Sequence, residues 1–420
     1  MVPVSRRTVL RSIGGALSAT VAGCNQPSNS DKTSTSGYLD TDENPSPTQT
    51  TPPTNTSTPT TTNSPTNTPH TSQCDTPWES QLHWRYVTSE TRAYEPTVED
   101  ATVYFTTQAG VLYAVDTTTG KLTWRHSHDT SINETPIVDA NSVYTAGLEK
   151  VFAHDLTTGA IQWRFTPPGE GARITANVAA DRGLVFVGAA QIPGVNEDYD
   201  RTYTRLYAVD SRTGNTEWYC SLPTGPETAI QGLTATDSAV FVLTADNALR
   251  RITGPTGDVT WRRQLGGEAV ESGPRYRDGR LYSTVSNQLF VVSATNGTLV
   301  WRHQGCNGAP GITEKNVFCA TDEVLSAFDR TRHRVQWRTP LPMGTIANDS
   351  GTRAAAGNVY VPMDREDRNG LVMAYEAASG CRFGQYELQA RRPTPVVSTS
   401  EWIYFGGLHG KAAMYAVSSP

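Results

Sequence analysis

The sequence predicts an all-β fold: an eight-bladed β-propeller of four-stranded antiparallel blades, closed by pairing of its N- and C-terminal strands. Three observations predict it. First, LYAVDTTTGKLTW (Leu112 to Trp124) returns as VFAHDLTTGAIQW ending at Trp163, LYAVDSRTGNTEW at Trp218, LRRITGPTGDVTW at Trp261, LFVVSATNGTLVW at Trp301 and LSAFDRTRHRVQW at Trp337. A seventh copy, VMAYEAASGCRFG, has Gly384 in place of the tryptophan. Second, Pro96, Pro136, Pro274 and Pro310 each stand seven residues before an apolar-aromatic pair, Val103-Tyr104, Val143-Tyr144, Leu281-Tyr282 and Val317-Phe318. The repeat therefore holds four short strands with period-two apolar alternation, A to D, in units of about forty residues, which is the signature of propeller blades. Third, the chain ends in the opening of an eighth copy, Met414-Tyr415-Ala416-Val417, and the matching D strand lies at the other terminus, around Trp84. Closure through the termini removes the open sheet edge that a linear array would expose.

The propeller begins at residue 78. Residues 1–23 read as an export signal, with the paired arginines Arg6 and Arg7 of a twin-arginine motif before a small-residue apolar run too short to span a bilayer. That run ends in Val21-Ala22-Gly23-Cys24, a lipobox in which Cys24 takes the lipid and anchors the mature chain. Residues 24–77 are a Thr/Pro/Ser/Asn-rich stalk. Between Asp40 and Pro77 there is no aliphatic or aromatic residue, so no core can form there. As extended polyproline II it would reach on the order of 150 Å from the membrane. The net charge of −6 is mild and no basic stripe is present, which argues against nucleic acid as a partner.

Within LYAVDTTTGKLTW, Asp116 to Gly120 form the turn from strand C to strand D, Gly120 takes a positive φ, and Asp116 and Thr119 bond the turn's own amides. The tryptophans Trp84, Trp124, Trp163, Trp218, Trp261, Trp301 and Trp337 are read as docking groups between blades. Each buried indole removes roughly 150–250 Å² from water, worth several kcal/mol.

The pattern Ala-x-Asp-x-x-Thr-Gly-x-x-x-Trp at Ala114, Asp116, Thr119, Gly120 and Trp124, repeated at Ala153 to Trp163 and Ala208 to Trp218, resembles the tryptophan-docking motif of the PQQ-like propeller superfamily. That superfamily includes BamB-type assembly lipoproteins and quinoprotein alcohol dehydrogenases, both eight-bladed. The resemblance covers residues 78–420 and implies the fold, while the motif is shared by members with and without the cofactor. The long stalk is similar to that of surface lipoproteins of salt-loving archaea. A quinoprotein dehydrogenase would also need adjacent cysteines over the quinone, a stacking tryptophan and a Glu/Asn/Asp calcium site. The sequence has no Cys-Cys pair and no Cys-x-x-Cys-His, and only Trp78 and Trp402 lie outside docking positions. No cofactor is therefore predicted. PQQ and calcium enter only under the alternative of a quinone-dependent dehydrogenase.

Other chemistry is sparse. The eight histidines are scattered; His126, His128 and His409 read as surface groups, and no nucleophile elbow, zinc-helix or phosphate-loop motif is present. The candidate ligand or partner loops are two insertions between strands B and C: Gln191 to Arg201, with Glu197, Asp198 and Asp200, and Met363 to Gly370, with Asp364, Glu366 and Asp367. They emerge on one face with the D-to-A connections. Their oxygen-rich side chains suit calcium, but neither has the spacing of a known calcium loop. Exported cysteines tend to pair. Cys306 with Cys319 and Cys74 with Cys381 approach common faces and are the expected disulfides, which leaves Cys220 as a buried free thiol. The functional expectation is a membrane-anchored scaffold for an unidentified extracytoplasmic protein partner or ligand, without catalysis of its own.

Overall fold

Each recurring unit folds into one antiparallel sheet, and eight such sheets are present in the computed structural model. It describes residues 80–132, 134–139, 141–191, 203–223, 229–268, 270–342, 346–347, 351–365, 368–409 and 411–420. The first blade is Thr97–Glu99, Thr102–Thr106, Val111–Asp116 and Leu122–Ser127, strands A to D in order. The second is Ile137–Val138, Ser142–Ala146, Val151–Asp155 and Ile161–Phe165. The fifth and sixth run from Val270–Arg277 to Leu299–Gln304 and from Gly311–Ile312 to Val335–Pro340. In the eighth, Trp402–His409 and Lys411–Ser418 supply B and C, and Leu82–Thr91 from the other end of the described chain supplies D, with Trp84 opposite Ala416.

Burial along a blade explains the strand sequences. Strand C of the first blade is covered on both faces and reads as a continuous apolar run, Val111 to Val115. Its strand D alternates, exposing Thr123 and Arg125 while burying Trp124. The core is divided accordingly: eight apolar clusters sit between the blades, one in each seam. They differ in size. The seam between the first and second blades has five buried members and that between the fifth and sixth has seven, whereas the seam between the second and third has thirteen.

The B-to-C insertions are strands where they are described. In the seventh blade the B strand runs through Asn358–Arg365 and its partner through Arg368–Glu376, so Asp364 lies in the sheet and not in a free loop. In the third blade, B extends through Leu184–Gln191. Both blades, and the eighth, add a further short strand, giving three five-stranded sheets. The reason is local: Ala189 and Ala190 carry the strand's alternation past its usual end and pair with Ile174 and Arg173.

Candidate functional site

The tryptophan signature acts across seams. Trp124 Nε1 donates to Leu156 O at 2.9 Å in the next blade, and its ring lies over Gly159, where an added Cβ would fall 2.4 Å from the indole. The same geometry joins Trp84 to Thr117 O, Trp163 to Ser211 O, Trp218 to Gly254 O, Trp261 to Ala294 O and Trp337 to Ala377 O. The motif glycine is thus required twice, by its positive φ and by the neighbouring indole. Trp301 is the exception. Its counterpart glycine is His333, held at φ 56, and the two rings stack at 5.0 Å. The seventh blade's Gly384 also becomes intelligible. A tryptophan there would dock on the C-to-D turn of the eighth blade, and no such turn exists because those strands come from opposite ends of the propeller.

Of the predicted loop residues, Glu197, Asp198, Asp200, Glu366 and Asp367 lie outside the described residues, as do Arg6, Arg7, Cys24 and Cys74. Asp364 is committed within the fold: it accepts from the Arg392 amide at 3.3 Å and pairs with Arg391 and Arg392 of the eighth blade. Cys306 and Cys319 are disulfide-bonded, with Cα atoms 4.8 Å apart. Cys381 is disulfide-bonded as well. Cys220 corrects the expectation of a free thiol: it is buried, but it too is disulfide-bonded, and no free cysteine is present among the described residues. It occupies the second position after Trp218 on strand D, which points inward to the seam, so burial alone did not distinguish a thiol from half of a cystine.

The residues beside the A strands converge on the axis. Glu95, Pro96, Thr135, Asn177, Arg275, Arg353 and Val397, from six different blades, line one cavity of about 400 Å³, which shares Glu95, Asn177, Arg275 and Arg353 with a second of about 560 Å³. Arg353 Nη2 donates to both Glu95 oxygens at 2.6 and 2.9 Å, and its Nε adds a bond at 3.0 Å. Arg275 bonds Pro310 O at 3.3 Å; burial, and then the Arg353 charge, lower its pKa, while it remains protonated at neutral pH. Two guanidinium groups therefore face one carboxylate, and that carboxylate is already clasped. Such a cavity favours an anionic group.

Three histidines also converge, in the seam between the first and second blades. Among the described residues His126, His128 and His154 form the group able to hold a metal ion, their ring nitrogens lying within 4.8 Å of one another. His154 is fully buried and His126 and His128 are partly so, which corrects the reading of His126 and His128 as surface groups. Burial lowers His128 to about 4 and His154 to about 3, so both rings are neutral at neutral pH. The available signal was His154 itself, which interrupts the apolar run of strand C in the second copy of the repeat.

The profile of the PQQ_2 family, described as outer membrane protein assembly factor BamB, matches residues 75–149, 147–271 and 250–407. The chain belongs to this family. No curated protein matches the sequence. Among solved structures, BamB from Moraxella catarrhalis is similar over 81% of this chain and 100% of its own, with 15% identity and a TM-score of 0.65. Quinohemoprotein alcohol dehydrogenase from Comamonas testosteroni is similar over 81% and 76%, with 13% identity and a TM-score of 0.62. The computationally designed Ika8 protein is similar over 82% and 99%, with 15% identity and a TM-score of 0.61. At these identities the likeness is one of fold.

The dehydrogenase neighbour makes the quinone and calcium worth testing against the axial residues of this BamB-family chain. They do not fit. Among the described residues a dication would meet two guanidinium charges and a single carboxylate that Arg353 already holds. The described signature tryptophans all sit in seams, and Trp402 stacks on His83 at 3.9 Å in the closing blade, so no described tryptophan is placed to stack a quinone on the axis. The Cys306–Cys319 disulfide belongs to the cluster between the fifth and sixth blades.

Proposed function

We propose that this chain is an exported, lipid-anchored propeller, held away from the membrane by its Thr/Pro-rich stalk on the cell surface of a salt-loving archaeon, that binds a protein or ligand partner as a scaffold and has no catalysis of its own. The single observation that carries the reading is the use of the repeat signature. Its tryptophans and glycines are occupied in joining blades, its aspartates in closing their own turns, and the axial carboxylate Glu95 is held by Arg353. Membership in a family described by an assembly factor supports a binding role, and the long stalk separates this chain from a role at an outer-membrane barrel machine. The partner is an extracytoplasmic protein read by the face that carries the B-to-C turns and D-to-A connections, and membrane contact is through Cys24 alone.

The test has two arms in native salt. Cys24→Ser should release the chain from the membrane fraction to the medium. Site-specific photocrosslinkers placed at Glu197 and Glu366 should capture one partner that a crosslinker on the opposite face, at Arg212, does not. Retention of the serine variant in the membrane removes the anchor, and equal capture from both faces removes the directional scaffold.

A further inference from the structure

The histidines in the first seam occupy positions that other blades fill with hydrocarbon. The fourth residue after the docking tryptophan is buried Leu222, Leu265 and Leu341 in the third, fourth and sixth blades, and Leu388 in the seventh; in the first it is His128. The residue before the turn aspartate position of strand C is Val115, Val209, Ile252, Val292, Phe328, Tyr375 or Val417, and in the second blade it is His154. Two core positions have thus become imidazoles at one place, and His126 joins them from the D strand of the first blade.

Their hydrogen bonds define which nitrogen is free. His128 Nδ1 lies 2.6 Å from Gly110 O and His154 Nδ1 lies 3.1 Å from Gly159 O. A carbonyl can only accept, so each Nδ1 carries the proton, and in a neutral ring Nε2 is then a bare lone pair. The two Nε2 atoms face each other at 3.0 Å. Two lone pairs at that distance repel unless something electropositive lies between or beside them. Anchoring of Nδ1 on a carbonyl is also the arrangement that orients metal-bound imidazoles and fixes their tautomer.

We propose that His126, His128 and His154 bind a divalent transition-metal ion, zinc by preference, and that the ion clamps the first blade to the second. Three imidazole nitrogens suit zinc, copper or nickel and not magnesium or calcium. Tetrahedral zinc at about 2.0–2.1 Å places its ligand nitrogens roughly 3.3 Å apart, so the His128–His154 pair opens by a few tenths of an ångström and His126 swings in. Thr145 Oγ1, at 3.3 and 3.5 Å from the two Nε2 atoms, lines the fourth side, where it or a water completes the shell. Arg164 is the cation nearby; it is exposed and turned over the Phe152 ring at 5.9 Å, where solvent screens it.

The experiment uses the full mature chain without an affinity tag, stripped with a chelator. Zinc titration should reach one ion per chain, cobalt should give a visible spectrum of nitrogen ligation, and zinc but not magnesium or calcium should raise the melting midpoint. His128→Leu with His154→Val installs the residues the other blades use. This variant should melt at or above the metal-free parent, weaken zinc binding by more than about 10-fold and lose the zinc-dependent rise. Absence of stoichiometric zinc in the parent, or a zinc-dependent rise that survives in the folded double variant, overturns the proposal.

Discussion

The seam between the first and second blades and the seam between the fifth and sixth are built from the same positions of the repeat, yet closed by different chemistry. These two have the smallest apolar clusters of the ring, with five and seven buried members. In the fifth–sixth seam, Cys319 stands where Thr145 stands in the second blade, and it is bonded to Cys306 at the position of Asp129. His303 there matches His126, but its neighbours are Gly305 and Phe328, whose ring lies 4.3 Å away, in place of His128 and His154. One thin seam is thus locked by a covalent bond and the other carries three converging imidazoles. Docking tryptophans thus set the ring's geometry, while a seam short of hydrocarbon is supplemented by side chains suited to a specific cross-link.

The largest expected effect is at the docking ring itself. Trp124→Ala should cost about 3–5 kcal/mol in chemical denaturation, while Trp301→Ala should cost about 1 kcal/mol less, because Trp301 is more exposed and stacks on His333 in place of donating to a carbonyl. Equal losses would show that the indole hydrogen bond contributes little to the first seam. Next comes the covalent lock: Cys306→Ser with Cys319→Ser opens a link between residues 13 apart and should cost about 3 kcal/mol. Loss of less than that from the thin seam would mean its packing suffices without the bond.

The connection entering each seam gives the smallest effect. Glu134, on the way into the second blade, matches Gly308 on the way into the sixth, and burial raises its carboxyl to about 7. Its folded pKa lies above its unfolded value, so the folded state holds the proton more tightly. Stability is then greatest below the unfolded pKa and falls as pH rises through about 4.5 to about 7. The parent should lose on the order of 2 kcal/mol across that window, and Glu134→Gln should flatten the profile in thermal melts taken from about pH 5 to about pH 8. A profile unchanged by the substitution would place the pH dependence elsewhere.

The fold was legible because its signature is physical. A glycine that must accept a neighbouring indole recurs in every blade that has a C-to-D turn to dock on, with His333 in its place in the sixth, and the turn aspartate that accepts from its own turn's amides stands in four of them, as Asp116, Asp155, Asp210 and Asp329. The site was less legible. Asp364 reads as an acidic loop residue, and only the extended pairing of Met363 with Leu371 shows that it is held in a sheet beside Arg392. The axial ion pair joins Glu95 at the first blade to Arg353 in the seventh, 258 residues apart in sequence, and no local pattern announces a contact of that separation. Cys220 and His154 both occupy inward positions, where a side chain's chemistry depends on what the next blade brings to meet it.

The repeat signature of this propeller joins blades, and the described axial residues do not fit a quinone with its calcium. Reconstitution of the mature chain with PQQ and calcium, followed by absorbance titration and dye reduction with a panel of alcohols, tests this most directly. No saturable binding and no turnover are expected, with Arg275→Ala and Arg353→Ala leaving that outcome unchanged. Stoichiometric quinone binding with alcohol-dependent dye reduction would contradict it.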